Sequence, residues 1–527
     1  MEPCTDLASN ANIRGFTPVA AADQEHTLKH RFPPYSGISL LILMLVLASA
    51  VSHPARSQDL QLPQLGDASS ALVSLPEEHK LGRSWLRDLR AKADILEDPL
   101  MTELLESLVY RLLPHANTPQ SQLAFVTVNQ QELNAFAVPG GIIGVNFGLL
   151  LHTRDEDEMS SVIAHELAHL SQRHFARRNE VSQNEAPIAL AALLASILLA
   201  ATVDADVGMA GIMATQGASI QNQLSYSRAW EREADRIGFS TMVEAGLDPH
   251  AMPDMFRNMQ DAAKFYRKPP EFLLTHPLTS RRIADAADRA ERYATRPRRR
   301  SFLFGILRNE AMRQYQLAED QQNVFFTRLL SRNPTLYDQA ILNYTLAQIE
   351  LDHERPEKAQ HYAGRIPDAW KNESAAIIQQ SHIMTALGKS AQALKLLEQQ
   401  RHWFPESYAF NLAYTDQLSA MGQKKKALDV LREINERRPD DPLVWAKLAE
   451  LALQTENRLL AHQASAEALF LRGDDSRAAR HMDLAILEAT KAGNFKRREA
   501  LRERLKKMAA AGMEQEQPGQ KRLATEN

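Results

Sequence analysis

Four alanines, Ala359, Ala393, Ala427 and Ala461, recur at intervals of 34 residues. Gly388 and Gly422 keep the same interval, as do Pro405 and Pro439, and Leu394 and Leu428 each follow their alanine directly. A unit of that length is one pair of helices, with a small residue where the two cross and a proline near the end. One pair cannot bury its apolar face alone, so successive pairs must stack into a solenoid. Glu354 and Glu456 stand where the interval calls for glycine, which makes the outer copies degenerate.

The interval is the tetratricopeptide signature, and it predicts an α-solenoid of about four repeats over residues 301–512, with 513–527 as a disordered tail. A chain of 527 residues is too long for that module alone. Residues 82–300 read as a second domain, mainly α with a small β element. A helical pattern over 82–113 is followed by two β-rich runs, Leu123–Val128 and Ile142–Val145. They flank NAFAVPGG (Asn134–Gly141), where Pro139-Gly140-Gly141 marks a turn, and helices resume at Glu156. With 44% hydrophobic and 24% charged residues the chain is globular, and a net charge of −4 gives no reason to expect nucleic acid. The basic run from Arg296 to Arg300 reads as a solvated linker.

Residues 38–50, ISLLILMLVLASA, follow Lys29 and Arg31 and end in Ala48-Ser49-Ala50, the order of a secretory signal. Residues 1–50 are therefore expected to be a signal peptide and 51–81 a flexible lead-in. Cys4, the sole cysteine, would leave with the signal, which suits an oxidising compartment without calling for a disulfide. Asp23 and Glu25 in the long leading segment keep an uncleaved anchor as the alternative. Residues 186–203, APIALAALLASILLAATV, and the small-residue stretch Val207–Ala218 are expected to form a helical hairpin, buried or touching the membrane, rather than a span, which needs about twenty apolar residues.

The chemistry lies in SSVIAHELAHLSQRH, residues 160–174. His165 and His169 are four apart, so a helix puts them one turn apart on one face, with Glu166 beside them. H-E-x-x-H on a helix binds zinc through two neutral imidazoles and leaves the glutamate to activate water. A catalytic zinc takes a third protein ligand. Phe175 and Gln172 stand where one class of such enzymes places a histidine and a glycine, which excludes that class, and His174 points off the ligand face as a packing or hydrogen-bonding residue. A later helix, SYSRAWEREADRIG (Ser225–Gly238), offers Glu231 and Asp235 on one face and turns Glu233 away. One of the first two can bind metal while the other supports a ligand histidine from behind. His276, in LLTHPLTSRRIADA, precedes a turn in which Thr279 would cap a helix.

HELAHLSQRH followed by SYSRAWEREADRIG resembles the gluzincin peptidases of the HtpX and CAAX-prenyl-protease superfamily, and NAFAVPGG resembles their active-site edge strand. The resemblance implies a gluzincin-type metallopeptidase with one zinc per chain held by His165, His169 and Glu231. It gives Glu166 as catalytic base, Asp235 as the carboxylate behind a ligand, and the edge strand Ala135, Phe136, Ala137 and Val138 as the line along which an extended substrate lies. It also makes His276 a fourth ligand that keeps the enzyme latent. Members with a signal sequence and a tetratricopeptide array imply a periplasmic endopeptidase of a Gram-negative bacterium, with 186–218 as its expected point of peripheral membrane contact. Its partners would be misfolded or misassembled outer-membrane proteins and their assembly machinery. Two other functions compete: a chaperone-like assembly factor working through its repeats, and an integral membrane protease anchored through 38–50 and 186–203.

Overall fold

The computed structural model describes residues 74–118, 122–178, 198, 228–265 and 270–516, all within the unit Gly66–Asn527. The expected signal peptide, most of the apolar stretch at 186–218 and the end of the expected tail lie outside the described residues. Among the described residues no helix is long and apolar enough to cross a membrane.

Helix α1 (Leu75–Lys92) starts inside the expected lead-in, because Ser74 and Glu77 form a reciprocal capping box there. Helix α2 (Pro99–Leu112) is capped by Asp98. Three strands follow, β1 (Ala124–Val128), β2 (Ala135–Val138) and β3 (Ile142–Asn146). Their order is β1-β3-β2, with β1 parallel and β2 antiparallel to β3, which leaves β2 at an edge. Gly140 and Gly141 make the β2–β3 turn at φ 90° and 79°, a region that favours glycine.

After the short α3 (Leu149–His152), helix α4 (Glu156–Ser171) runs through the core, and a brief α5 (His174–Arg178) follows. The remaining helices of this part are α6 (Arg228–Glu244), α7 (Ala251–Phe265), α8 (Glu271–Thr275) and α9 (Ser280–Ala290). Helix α6 lies along α4, and Gly238 is the reason it can come so close. A Cβ there would sit 3.0 Å from the backbone of Ala164 and His165.

The basic run is solvated only in part: Arg299 and Arg300 are exposed, but Arg296 and Arg298 are engaged by the fold. Arg296 donates to the Val243 and Leu247 carbonyls at 3.0 and 3.1 Å, satisfying the end of α6. Arg298 is mostly buried among Asp155, Asp248 and Asp254, and so ties the start of α4 to α7. Charge patterning missed this because those acids are far away in sequence. Removing the cation from this cluster leaves buried carboxylates uncompensated, so Arg298→Ala is expected to lose about 3 kcal/mol. A urea midpoint equal to that of the parent chain would show the cluster to be dispensable.

From Phe302 the chain is helix after helix. These are α10 (Phe302–Gln316), α11 (Glu319–Leu330), α12 (Leu336–Asp352), α13 (Pro356–Ala363), α14 (Ser374–Ala386) and α15 (Ser390–Arg401). They continue with α16 (Tyr408–Ala420), α17 (Lys424–Arg437), α18 (Pro442–Gln454), α19 (Arg458–Leu471), α20 (Asp475–Lys491) and α21 (Phe495–Glu516), the last running past residue 512. The four periodic alanines fall on α13, α15, α17 and α19, and all are buried. Gly388 and Gly422 turn between paired helices at φ 74° and 73°, and Glu354 and Glu456 adopt φ 56° and 58° at the equivalent turns. The turn geometry persists where the glycine does not.

The array also closes onto the preceding helices. Glu103 on α2 accepts from Ser407 Oγ and the Ala409 N–H, and Arg438 makes a bidentate pair with Glu106. Arg87 on α1 donates to the Phe470 carbonyl at 2.8 Å and lies over that residue's ring.

Candidate metal centre

Helix α4 is fixed at its start by the Asp155 cap and along its length by Val162, Ile163, Leu167 and Leu170, all in the core. That orientation aims His165 and His169 at α6. His165 Nε2 lies 3.1 Å from His169 Nε2 and 3.4 Å from His276 Nδ1. Glu231 on α6 brings Oε2 to 3.4 Å from His165 Nε2, and Oε1 to 3.5 Å from His169 Nε2 and 3.1 Å from His276 Nδ1. One donor atom from each of the four lies within 4.8 Å of the others, and all four residues are buried.

This donor set fits a divalent cation. Three ring nitrogens and a carboxylate converge in a dry site, where their lone pairs cannot all be satisfied by one another. Nearby Glu166 Oε1 is buried without a hydrogen bond, its neighbour His276 Nε2 being 3.5 Å away.

The backs of the histidines are held as well. His165 Nδ1 is 3.0 Å from Asp235 Oδ1, and Arg282 grips both Asp235 oxygens at 2.7 Å while its third nitrogen sits 2.8 Å from Glu231 Oε2. His169 Nδ1 meets His174 Nδ1 at 2.9 Å, and His174 Nε2 meets Glu233 Oε2 at 3.2 Å. Such outer partners fix ring orientation and tautomer. The electrostatics follow from this layout. Burial opposes charge on His165, but Asp235 and Glu231 outweigh it and hold the imidazole up at about 9. Burial, then the charge on His165, drives His169 well below its ordinary value. Burial opposes charge on Glu231 too, yet the His276 and His165 rings hold its carboxyl well below the usual range. Glu166 goes the other way, raised chiefly by burial.

Strand β2 borders this cluster. Asn146 N–H donates to the Asn134 carbonyl at 3.0 Å, so Asn134, Phe136 and Val138 face β3, and Ala135 and Ala137 turn their backbone groups outward. The Ala137 N–H bonds the Glu166 carboxylate. His276 caps α8, with its ring stacked on Phe272 at 4.7 Å. Arg282 secures the loop by donating to the Pro277 carbonyl at 2.9 Å. Thr279 caps α9 as expected, so the capping turn and the approach of His276 to the cluster coexist.

The structure therefore brings together His165, His169, Glu231, His276, Glu166, Asp235 and the β2 edge. His174 and Glu233 stay out of the donor set, as their helical positions require, but they form the link behind His169 that helical spacing did not reveal. Arg282 was missed altogether. Its signal was a cation in the first turn of α9, where the helix dipole disfavours one unless an anion waits nearby.

A mainly helical fold with this buried cluster beside an edge strand, followed by a repeat array, defines a metallopeptidase. Residues 99–290 match the model of peptidase family M48, and residues 384–451 match a tetratricopeptide repeat. A beta-barrel assembly-enhancing protease of Yersinia pestis is 31% identical over 454 residues, covering 83% of this chain and 90% of that one. That of Escherichia coli is 29% identical over 446 residues, with the same coverage. A Vibrio cholerae relative is 37% identical over 253 residues, 48% of this chain, and the match spans about half (52%) of its length. The chain belongs to the M48 family of beta-barrel assembly-enhancing proteases.

Proposed function

We propose that the chain is a periplasmic zinc endopeptidase acting in the assembly and quality control of outer-membrane β-barrel proteins. The observation that carries this reading is the buried convergence of His165, His169, Glu231 and His276 next to Glu166 and the edge strand β2. The names of the relatives support the choice of client and, with it, the compartment. In this reading residues 82–300 form the catalytic domain and 301–512 the docking array.

His165, His169 and Glu231 would hold the zinc, with Asp235 and the His174–Glu233 link orienting the two rings. Bound there, zinc would supply a Lewis acid for the scissile carbonyl and bring a water into the range where a carboxylate can deprotonate it. Glu166 takes that proton and delivers it to the leaving amine. Its raised affinity for protons suits both halves of the task. An extended substrate pairs with the outward groups of Ala135 and the Ala137 carbonyl, a recognition mode that is largely blind to side chains. The test is a metal analysis of the purified chain, together with casein hydrolysis with and without a chelator. Hydrolysis that persists after full metal removal refutes the reading.

His276 is the fourth of the convergent donors and would fill the position a substrate carbonyl needs at the metal, so we read the resting enzyme as latent. His276→Ala is expected to retain zinc and to raise casein cleavage and self-cleavage several-fold, because the closed form loses its fourth contact. Unchanged activity in that variant returns His276 to its capping role.

A further inference from the structure

The sheet has a second edge, away from the metal cluster. On β1, Ala124, Val126 and Val128 turn their backbone groups towards β3. The Ala124 N–H donates to the Gly141 carbonyl, and the Val128 carbonyl accepts from the Phe147 N–H, each at 2.9 Å. Phe125 and Thr127 therefore face outward. A crossing segment covers only the far end of this edge, where the Leu96 N–H donates to the Thr127 carbonyl at 2.9 Å before the chain turns into α2. The Phe125 N–H, the Phe125 carbonyl and the Thr127 N–H have no partner among the described residues.

These groups line a cleft of about 570 Å³ between the catalytic part and the array. Its opposite wall comes from Tyr408, Ile434 and Arg438. Two features fit a polypeptide guest. Tyr110, 53% exposed, stands edge-on to Phe125 with ring centroids 5.7 Å apart and offers an aromatic shelf beside the open edge. Arg83, also on the cleft wall, keeps Nε buried with no hydrogen-bond partner, a donor waiting for an acceptor.

We propose that β1 is a second strand-docking edge, which takes up an extended segment of a non-native polypeptide as a fourth strand while β2 presents another segment to the metal cluster. Free backbone groups at strand spacing select an extended chain, and the Tyr110–Phe125 shelf selects an aromatic or aliphatic side chain facing it. The array wall keeps out folded domains. The inference rests on the proposed function only for the source of the segment, an unfolded client.

The test uses the full chain carrying Glu166→Gln, so that the probe is not cut. The probe is a fluorescein-labelled peptide of alternating phenylalanine and threonine with lysines at both ends; its control has the same composition interrupted by prolines. Phe125→Pro removes the outward donor, which an edge strand tolerates, and spares the ladder to β3. It is expected to weaken probe binding by at least about tenfold, since one backbone hydrogen bond and the ring are lost. Tyr110→Ala, a substitution at an exposed position that spares the fold, is expected to weaken binding by about threefold or more. Hydrogen exchange at the Phe125 and Thr127 amides is expected to be fast in the free chain and slowed by the probe. Probe affinity unchanged in Tyr110→Ala and in folded Phe125→Pro overturns the proposal. So does slow exchange of these amides without probe, which would mean that another segment of the chain or a second copy already fills the edge. Casein cleavage by the chain with native Glu166 is measured separately. A chain that cleaves casein but shows no β1 binding loses only this inference, and a chain that binds at β1 but cleaves nothing loses only the peptidase reading.

Discussion

Glu166→Gln is expected to lower peptide hydrolysis by roughly 10²–10⁴-fold, the usual contribution of a positioned general base, while fold and metal content stay unchanged. The side chain is buried beside the cluster but is not one of its four convergent donors. Glutamine has nearly the same shape, and its carbonyl can still accept the Ala137 N–H, so the β2 edge keeps its support. What glutamine cannot do is take a proton from water. Cleavage at near parental rate would remove Glu166 from the chemistry. Loss of metal along with activity would make it a ligand instead, and inductively coupled plasma mass spectrometry on the same sample separates the two results.

Much of this was legible because helical spacing is a rigid ruler. A spacing of four from His165 to His169, and of four from Glu231 to Asp235, fixes a shared face on each helix before any packing is known. The array was legible for a similar reason, since a repeat announces itself by period. Its degenerate turns were less so. Glu354 and Glu456 keep the left-handed conformation although each is a residue that pays for it, and only the interval, not the residue type, pointed there. What escaped were contacts closed by the tertiary fold. Arg298 reaches acids on three separate segments, and Arg282 reaches back across a loop to α6. Beyond Arg282's place in the first turn of α9, no local pattern marks these arginines as buried, because their environment is assembled by elements far apart in the chain. Strand β2 illustrates another limit. Four residues, Ala135–Val138, are too short to declare themselves by alternation, and the resemblance of the stretch to an edge strand identified it where periodicity could not.

The two carboxylates on α6 give the sharpest discrimination. Glu231→Gln is expected to weaken metal binding by well over the 10- to 100-fold that loss of an outer partner typically costs, and to abolish hydrolysis with it. The carboxylate supplies the only negative charge among the four convergent donors, and Arg282, whose nitrogen lies 2.8 Å from Glu231 Oε2, would then be balanced by Asp235 alone beside the cation. Glu233 is two residues on, and its substitution tests a different link. Glutamine there still accepts from His174 Nε2 through its carbonyl, so the ring behind His169 keeps its orientation and only the charge is lost. Glu233→Gln is therefore expected to cost no more than about tenfold in metal affinity, the lower end for an outer partner. Competition with a chelator of known affinity, at one pH and ionic strength, measures both variants on one scale. Equal losses would mean that the metal is held by some other carboxylate, and a larger loss for Glu233→Gln would move the ligand from the inner face of α6 to its flank.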